Sequence, residues 1–344
     1  MNIPGRNDAE RVAWLGQQRL WPVADLLLER GYLSPGLTEL SRQLAAPQIA
    51  AMRAQAGEDR RVVSALAESG ASVLVLKGCL LGQTVYPDPS NRFRTDLDLL
   101  TAPTRVDSVE AVLARLGYRR PATVQTAMPI RQAMWERQAG NISFSVDLHW
   151  DLRNHPALQE RFSFEELLQA AQPLPALGNG ALGMGRAHAL LNASMHYFND
   201  YADARPCQWL LDKDLLWRAM SPEERSACMN HAQQRGLAGL LAESLAQCRE
   251  QFETPISDDV INTLRTTGRA QWCTGLVSAN QRRSSAYWFA LRSEPGLRRK
   301  LVRLKSGLFP PASYMRRLYR EGSRLGLLGL YCRRIAESFR GSEV

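Results

Sequence analysis

The sequence predicts an α+β protein, with helices at both ends of the chain and strands alternating with helices between them. Three observations predict it. Apolar residues recur at helical spacing before residue 70, short β-branched or alternating runs occupy 72–150, and helical periodicity resumes from about 164. At 344 residues the chain has room for two domains, or one with large additions.

The elements follow in order. Val12, Leu15, Leu20, Val23, Leu26 and Leu27 mark helical turns, with Pro22 as a break. A second helical run covers about 37–68; Pro47 is expected to interrupt it and Gly70 to stop it. Residues 72–76 read as a buried strand and 78–85 as a short helix. Tyr86-Pro87-Asp88-Pro89-Ser90-Asn91 is a turn-rich loop. Residues 96–100 form a second strand, 105–116 an amphipathic helix closed by Gly117, and 122–150 a β-meander. The segment 173–185, rich in proline and glycine, reads as a loop at a domain boundary. Helices are then expected over 187–201, 207–220, 222–235, 237–252 and 258–279. The division is a helical region 1–70, a core 71–172, and a helical region 186–344 ending in a basic tail.

Hydrophobic residues are 45% and charged residues 22% of the chain, which excludes fibrous, disordered and disulfide-scaffold classes. No apolar run approaches the ~20 residues of a membrane helix, and the first residues carry no secretory h-region. Six cysteines are scattered without a CxxC, consistent with a reducing compartment. The expected location is the cytoplasm.

The formal charge is +9. Residues 281–344 hold 15 basic and four acidic side chains, so the tail is +11 and the rest −2. Such a tail is either a site for an anionic partner or a solvated Arg-rich face.

The chemistry-bearing signal is Thr95-Asp96-Leu97-Asp98-Leu99-Leu100. In a strand, Asp96 and Asp98 share one face while Leu97 and Leu99 take the other. Two carboxylates so placed can hold divalent metals for phosphoryl transfer. In Ser143-Phe144-Ser145-Val146-Asp147-Leu148-His149-Trp150, Asp147 shares a face with Ser145 and His149. A third carboxylate there would complete a metal site or accept a proton. His149 is read as a structural side chain or as a substrate or proton-transfer group. Upstream, Val75-Leu76-Lys77-Gly78 ends a strand and opens a helix, a suitable phosphate cradle, and Arg92 and Arg94 follow as cations for phosphate oxygens. There is no Walker A loop and no G-x-S-x-G. His188 and His196 are eight apart and read as core or cleft residues; Trp209 and Trp217, also eight apart, read as core packing.

Lys77-Gly78, Tyr86-Pro87-Asp88-Pro89, Arg92, the D-L-D-L-L run at 96–100 and Val146-Asp147-Leu148-His149-Trp150 together resemble the uncharacterised nucleotidyltransferase family of the DNA polymerase beta superfamily. His196 with Trp209-Leu210-Leu211-Asp212 resembles its helical segment, and Phe309-Pro310-Pro311 with Tyr314 its C-terminal end. The superfamily carries Gly-Gly or Gly-Ser where this chain has Gly78-Cys79. The resemblance implies a polymerase-beta-like core, a small mixed sheet with helices, flanked by the two helical regions. It implies transfer of an NMP from an NTP to an acceptor hydroxyl with release of pyrophosphate. Asp96, Asp98 and Asp147 would bind Mg²⁺ or Mn²⁺, and Lys77, Gly78, Arg92 and Arg94 the nucleotide. The acceptor stays open between a small molecule, a peptide or protein, and RNA; the tail favours an anionic one, such as RNA, an acidic peptide or a phosphorylated molecule. The alternatives are a non-catalytic nucleotide- or RNA-binding protein on this fold, or another metal-dependent phospho- or sugar-phosphate transferase.

Overall fold

The computed structural model describes the chain except residues 122–129, 200–204, 273–274, 278–282, 311, 313–314, 316–325 and 341–344. The protein is a mixed α+β structure. Helix α1 (Asp8–Gln17) is capped by Asn7, whose side chain accepts from the Glu10 amide at 2.9 Å. A 3₁₀ turn at Trp21–Val23, carrying Pro22, separates it from α2 (Ala24–Glu29).

Helix α3 (Pro35–Glu68) runs unbroken through Pro47, so the expected interruption is absent. Pro47 lies on the exposed face, while Val62, Val63 and Leu66 are fully buried on the other side and bind the helix to the core. Packing of that face outweighs the one amide lost at proline. Gly70 takes φ +73° just beyond Ser69, the left-handed ending that the sequence predicts.

The sheet order is β3-β4-β2-β1-β6-β5. Its strands are β1 (Leu74–Val75), β2 (Leu97–Leu100), β3 (Gln132–Ala139), β4 (Ile142–His149), β5 (Gln172–Pro173) and β6 (Leu182–Gly183). β1 pairs antiparallel with β2 and parallel with β6; β2 pairs parallel with β4. β3 and β4 form the antiparallel hairpin of the expected meander, turning at Gly140 with φ +57°; residues 122–129 lie outside the described residues. The segment 173–185, read as a loop, instead supplies most of the β5–β6 edge. Helix α4 (Lys77–Thr84) follows β1, and α5 (Val106–Arg115) follows β2.

β2 is buried along its whole length, and Asp98 is 4% exposed. The cause is its central position between β1 and β4, with side chains covered on both faces.

After α6 (Phe164–Gln169) come α7 (Arg186–Asn199), α8 (Gln208–Ala219), α9 (Pro222–Gln234), α10 (Ala238–Phe252) and α11 (Asp258–Arg269). The last of these ends ten residues before the sequence expectation; 273–274 and 278–282 lie outside the described residues. The described tail contains α12 (Arg283–Ser293), α13 (Gly296–Leu308) and α14 (Leu327–Arg340); Pro311, Tyr314 and the basic residues of 316–325 lie outside it. One continuous apolar cluster extends from Val12 in α1 through the sheet to Leu276. No helix among the described residues is long and apolar enough to cross a membrane.

Candidate active site

The strand register brings the sequence-distant acids together. Asp98 on β2 sits directly opposite Asp147 on β4, and Leu100 opposite His149. Parallel pairing of the two strands therefore delivers a carboxylate pair without help from loops. His149 Nε2 lies 2.9 Å from Asp98 Oδ1 and 3.2 Å from Asp147 Oδ2. One donor atom from each of Asp98, Asp147 and His149 lies within 4.8 Å of the others. Asp147 Oδ2 also accepts from Gln132 Nε2 at 3.3 Å, but its Oδ1 is buried with no hydrogen-bond partner.

Lys77 stands at the turn from β1 to α4, where the Leu76 amide bonds the Asp98 carbonyl and fixes the turn against β2. Lys77 has φ +47°, a left-handed conformation that a non-glycine residue adopts at a cost of order 1–3 kcal/mol. That turn aims its ammonium at Asp98 Oδ1, 2.5 Å away, with His149 Nε2 at 3.4 Å. Burial alone would push the Asp98 carboxyl up; the Lys77 ammonium and His149 overcome it and hold Asp98 well below the usual carboxylate range. Asp96, one residue before β2, is pushed the other way, up to about 6, by burial and by the neighbouring Asp98 charge, with Lys77 opposing.

Beside these groups is a cavity of about 180 Å³. Lys77, Gly78, Arg92, Arg94, Asp96 and Asp98 contribute to its lining. All six are residues singled out in the sequence; Asp147 and His149 adjoin them through Asp98. Gly78 suits a close approach: a Cβ there would lie 3.1 Å from both Cβ and Cδ of Arg94. Cys79, the departure from the superfamily pattern, turns away from the cavity, where it is buried with Sγ 3.5 Å from Asp59 Oδ2.

The two arginines are more constrained than their sequence position suggests. Arg92 donates Nε and Nη2 to the two Asp212 oxygens, each at 2.7 Å, and Nη1 to Gln208 Oε1 at 2.9 Å. Arg94 is ion-paired to Asp59 on α3 and donates to the Asp96 carbonyl at 2.9 Å. Both are buried. Tyr86 donates its hydroxyl to Asp212 Oδ1 at 2.7 Å, so the proline-rich loop and the helical W-L-x-D segment meet at one carboxylate.

The opposite wall comes from helices. Asn192, His196, Trp209 and Asp212 line it, and Arg19 reaches it from the turn after α1. Trp217 is buried core, 3% exposed, as its spacing suggested, but Trp209, read from the same spacing as core, instead lines the cavity. The His196 and Trp209 rings lie 4.4 Å apart. Burial, then the Arg153 and Lys77 charges, push His196 well below the usual histidine range, so it is neutral at neutral pH. The W-L-x-D motif could have flagged Trp209 and Asp212. Nothing in the sequence marks Arg19 or Asn192, which reach the cavity only through tertiary packing.

A family model described as an uncharacterised nucleotidyltransferase matches residues 12–253, from α1 to the end of α10. The match covers well over half of the chain and contains every residue of the candidate site. The chain belongs to that family. No curated protein matches it.

Proposed function

From that membership, we propose that the protein transfers an NMP from an NTP to an acceptor hydroxyl, with release of pyrophosphate and dependence on a divalent metal. The observation that carries the reading is the registered Asp98–Asp147 pair with its unpartnered, buried Asp147 Oδ1. A carboxylate oxygen buried without a donor is costly unless a cation occupies it. Lys77 Nζ already stands at Asp98 as a cation, so the donors fit Mg²⁺ or Mn²⁺, with Asp96 as a further carboxylate at the cavity. A bound Mg²⁺ would neutralise phosphate charge and position the attacking and leaving oxygens.

In this reading the chain's own residues do the following. Lys77 exchanges its ammonium from Asp98 to a phosphate oxygen when nucleotide and metal arrive. The α4 N-terminus at Gly78 presents backbone amides to the same phosphates. Arg92 and Arg94, fixed by Asp212 and Asp59, supply positive wall rather than mobile clamps. Asp147 accepts the acceptor's proton, and His149 holds Asp98 and Asp147 in register. The Trp209 and His196 rings offer a face to the nucleobase. The tail favours an anionic acceptor, and the cytoplasm supplies NTP and a reducing environment for the free cysteines.

Mass spectrometry tests the reaction directly. Incubation with Mg²⁺, each NTP and panels of small-molecule, peptide and RNA acceptors should yield an adduct of NMP mass together with pyrophosphate. A phosphate-mass adduct would instead identify a kinase-type transferase. No product with any NTP, alongside tight nucleotide binding, would identify a binding protein.

A further inference from the structure

Away from the cavity, three helices bring a second group of donors together. Glu166 lies on α6, His188 on α7 and His231 on α9. His188 Nε2 is 4.0 Å and His231 Nδ1 3.9 Å from the same oxygen, Glu166 Oε1. All three donor atoms lie within 4.8 Å of one another. The imidazoles are tilted at 41° to each other with centroids 4.6 Å apart, and the Phe162 ring stands edge-on to His188 at 5.3 Å.

Neither imidazole nitrogen is satisfied. His188 Nε2 and His231 Nδ1 are buried atoms without a hydrogen-bond partner, and His188 as a whole is only 4% exposed. The distances to Glu166 are too long for hydrogen bonds. Buried polar atoms normally find partners, so two orphans converging on one carboxylate oxygen call for an explanation. Arg235 grips both Glu166 oxygens at 3.0 and 2.9 Å, which fixes the carboxylate's orientation towards the histidines. Arg235 makes no hydrogen bond to either imidazole nitrogen.

We propose that Glu166, His188 and His231 form a binding site for a transition-metal ion of the Zn²⁺ class, stapling α6 to α7 and α9. Two imidazoles and one carboxylate are a recurrent zinc donor set, with water at the fourth position. Imidazole nitrogen selects such an ion over Mg²⁺, which prefers oxygen. Tetrahedral zinc with bonds of ~2.0–2.1 Å needs donors roughly 3.3 Å apart, so each imidazole nitrogen must close on Glu166 Oε1 by about 0.6 to 0.7 Å. Arg235 then serves as the outer partner that holds the carboxylate in place. Side chains of Glu166 and His231 are 25% and 28% exposed, which leaves an entry path and room for the water. The site joins the segment between β4 and β5 to helices α7 and α9, and its role is structural.

The test uses the full chain and ZnCl₂, with Asp147→Asn as background so that zinc at the active-site cluster is not counted. After dialysis, this protein should retain one equivalent of Zn²⁺ by elemental analysis. At a hundredfold excess over Kd its melting midpoint should rise by roughly 4 °C. Adding either His231→Gln or Glu166→Gln should remove the bound zinc and the shift, while the metal-free melting of at least one variant stays within a degree or two of its parent. Co²⁺ substitution should give tetrahedral visible bands in the background protein and none in those variants. Zinc retention unaffected by both substitutions, or no zinc bound at all, would overturn the proposal.

Discussion

Asp98 and Asp147 face each other across two strands yet differ in what their removal should do. Asp98 is buried and ion-paired to Lys77, so Asp98→Asn leaves an ammonium facing a neutral amide. Breaking a buried pair costs ~3–5 kcal/mol; with the Lys77 side chain 19% exposed, about 2 kcal/mol is expected. Asp147 has one oxygen with no partner to lose. Asp147→Asn should therefore cost less than ~0.5 kcal/mol in stability. Both variants should lose roughly 10²-fold or more in transfer rate. Denaturant melts paired with turnover assays separate the effects; equal destabilisation by the two substitutions would contradict the Lys77–Asp98 account. Asp96 gives a pH prediction of known sign. Its folded pKa of about 6 lies above the unfolded value of ~3.9. Between those values the folded state binds more protons, so stability falls as pH rises through about 4 to 6 and stays lower above it. Metal-free Asp96→Asn should lack that decline, and Mg²⁺ should offset it in the wild type above pH 6. Chemical denaturation at pH 4, 5, 6 and 7 with EDTA reads this directly.

Arg92, Asp212 and Tyr86 tie the loop before β2 to α8, as Arg94 and Asp59 tie it to α3. These pairs position β2 and the cavity wall together. Arg92→Ala and Asp212→Ala should each cost about 3 kcal/mol, because each strands a buried charge. The double variant should cost much less than the sum, with a coupling of ~2 kcal/mol in a denaturation cycle. Additive losses would mean that the two charges stabilise the protein independently. Parts of this arrangement are legible in the sequence. The Asp96–Asp98 spacing, the alternation around Asp147 and the strand-to-helix turn at Lys77 are local patterns, and the structure keeps all three. The register that sets Asp98 against Asp147 is not local, since parallel strands are joined through α5 and the β3 hairpin and no short motif encodes the pairing. β5 and β6 are two residues long, too short for any periodicity to show, whereas β1 lies inside the aliphatic run 72–76 that reads as a strand. Pro47 looked like a break because proline's cost is intrinsic, whereas the packing that overrides it is tertiary. Arg92 looked free for phosphate because its partner lies 120 residues away. The Glu166–His188–His231 cluster left no sequence trace, since its three residues come from three separate helices.

At the scale of the whole molecule the charge is divided: the family match ends at residue 253 and the basic excess begins beyond it. Helix α13 carries five of those basic residues. Arg298 and Arg299 are exposed there, with Lys300, Arg303 and Lys305 on the same helix. Arg303 is neutralised by Glu294 at 2.6 Å, which leaves four cations on α13 for a polyanion. If this helix holds an anionic acceptor, binding releases the counterions condensed on it. For a labelled single-stranded RNA, log affinity should fall against log salt with a slope of roughly −3, at about 0.7 per contacted phosphate. Charge reversal of Arg298, Arg299 and Lys300 should flatten that slope, while NTP affinity and metal dependence, set about the Asp98 cluster, stay as they were. Fluorescence anisotropy at several salt concentrations measures both. A wild-type slope near zero would make α13 an ordinary solvated surface, and would move the search for the acceptor to neutral molecules small enough for the cavity.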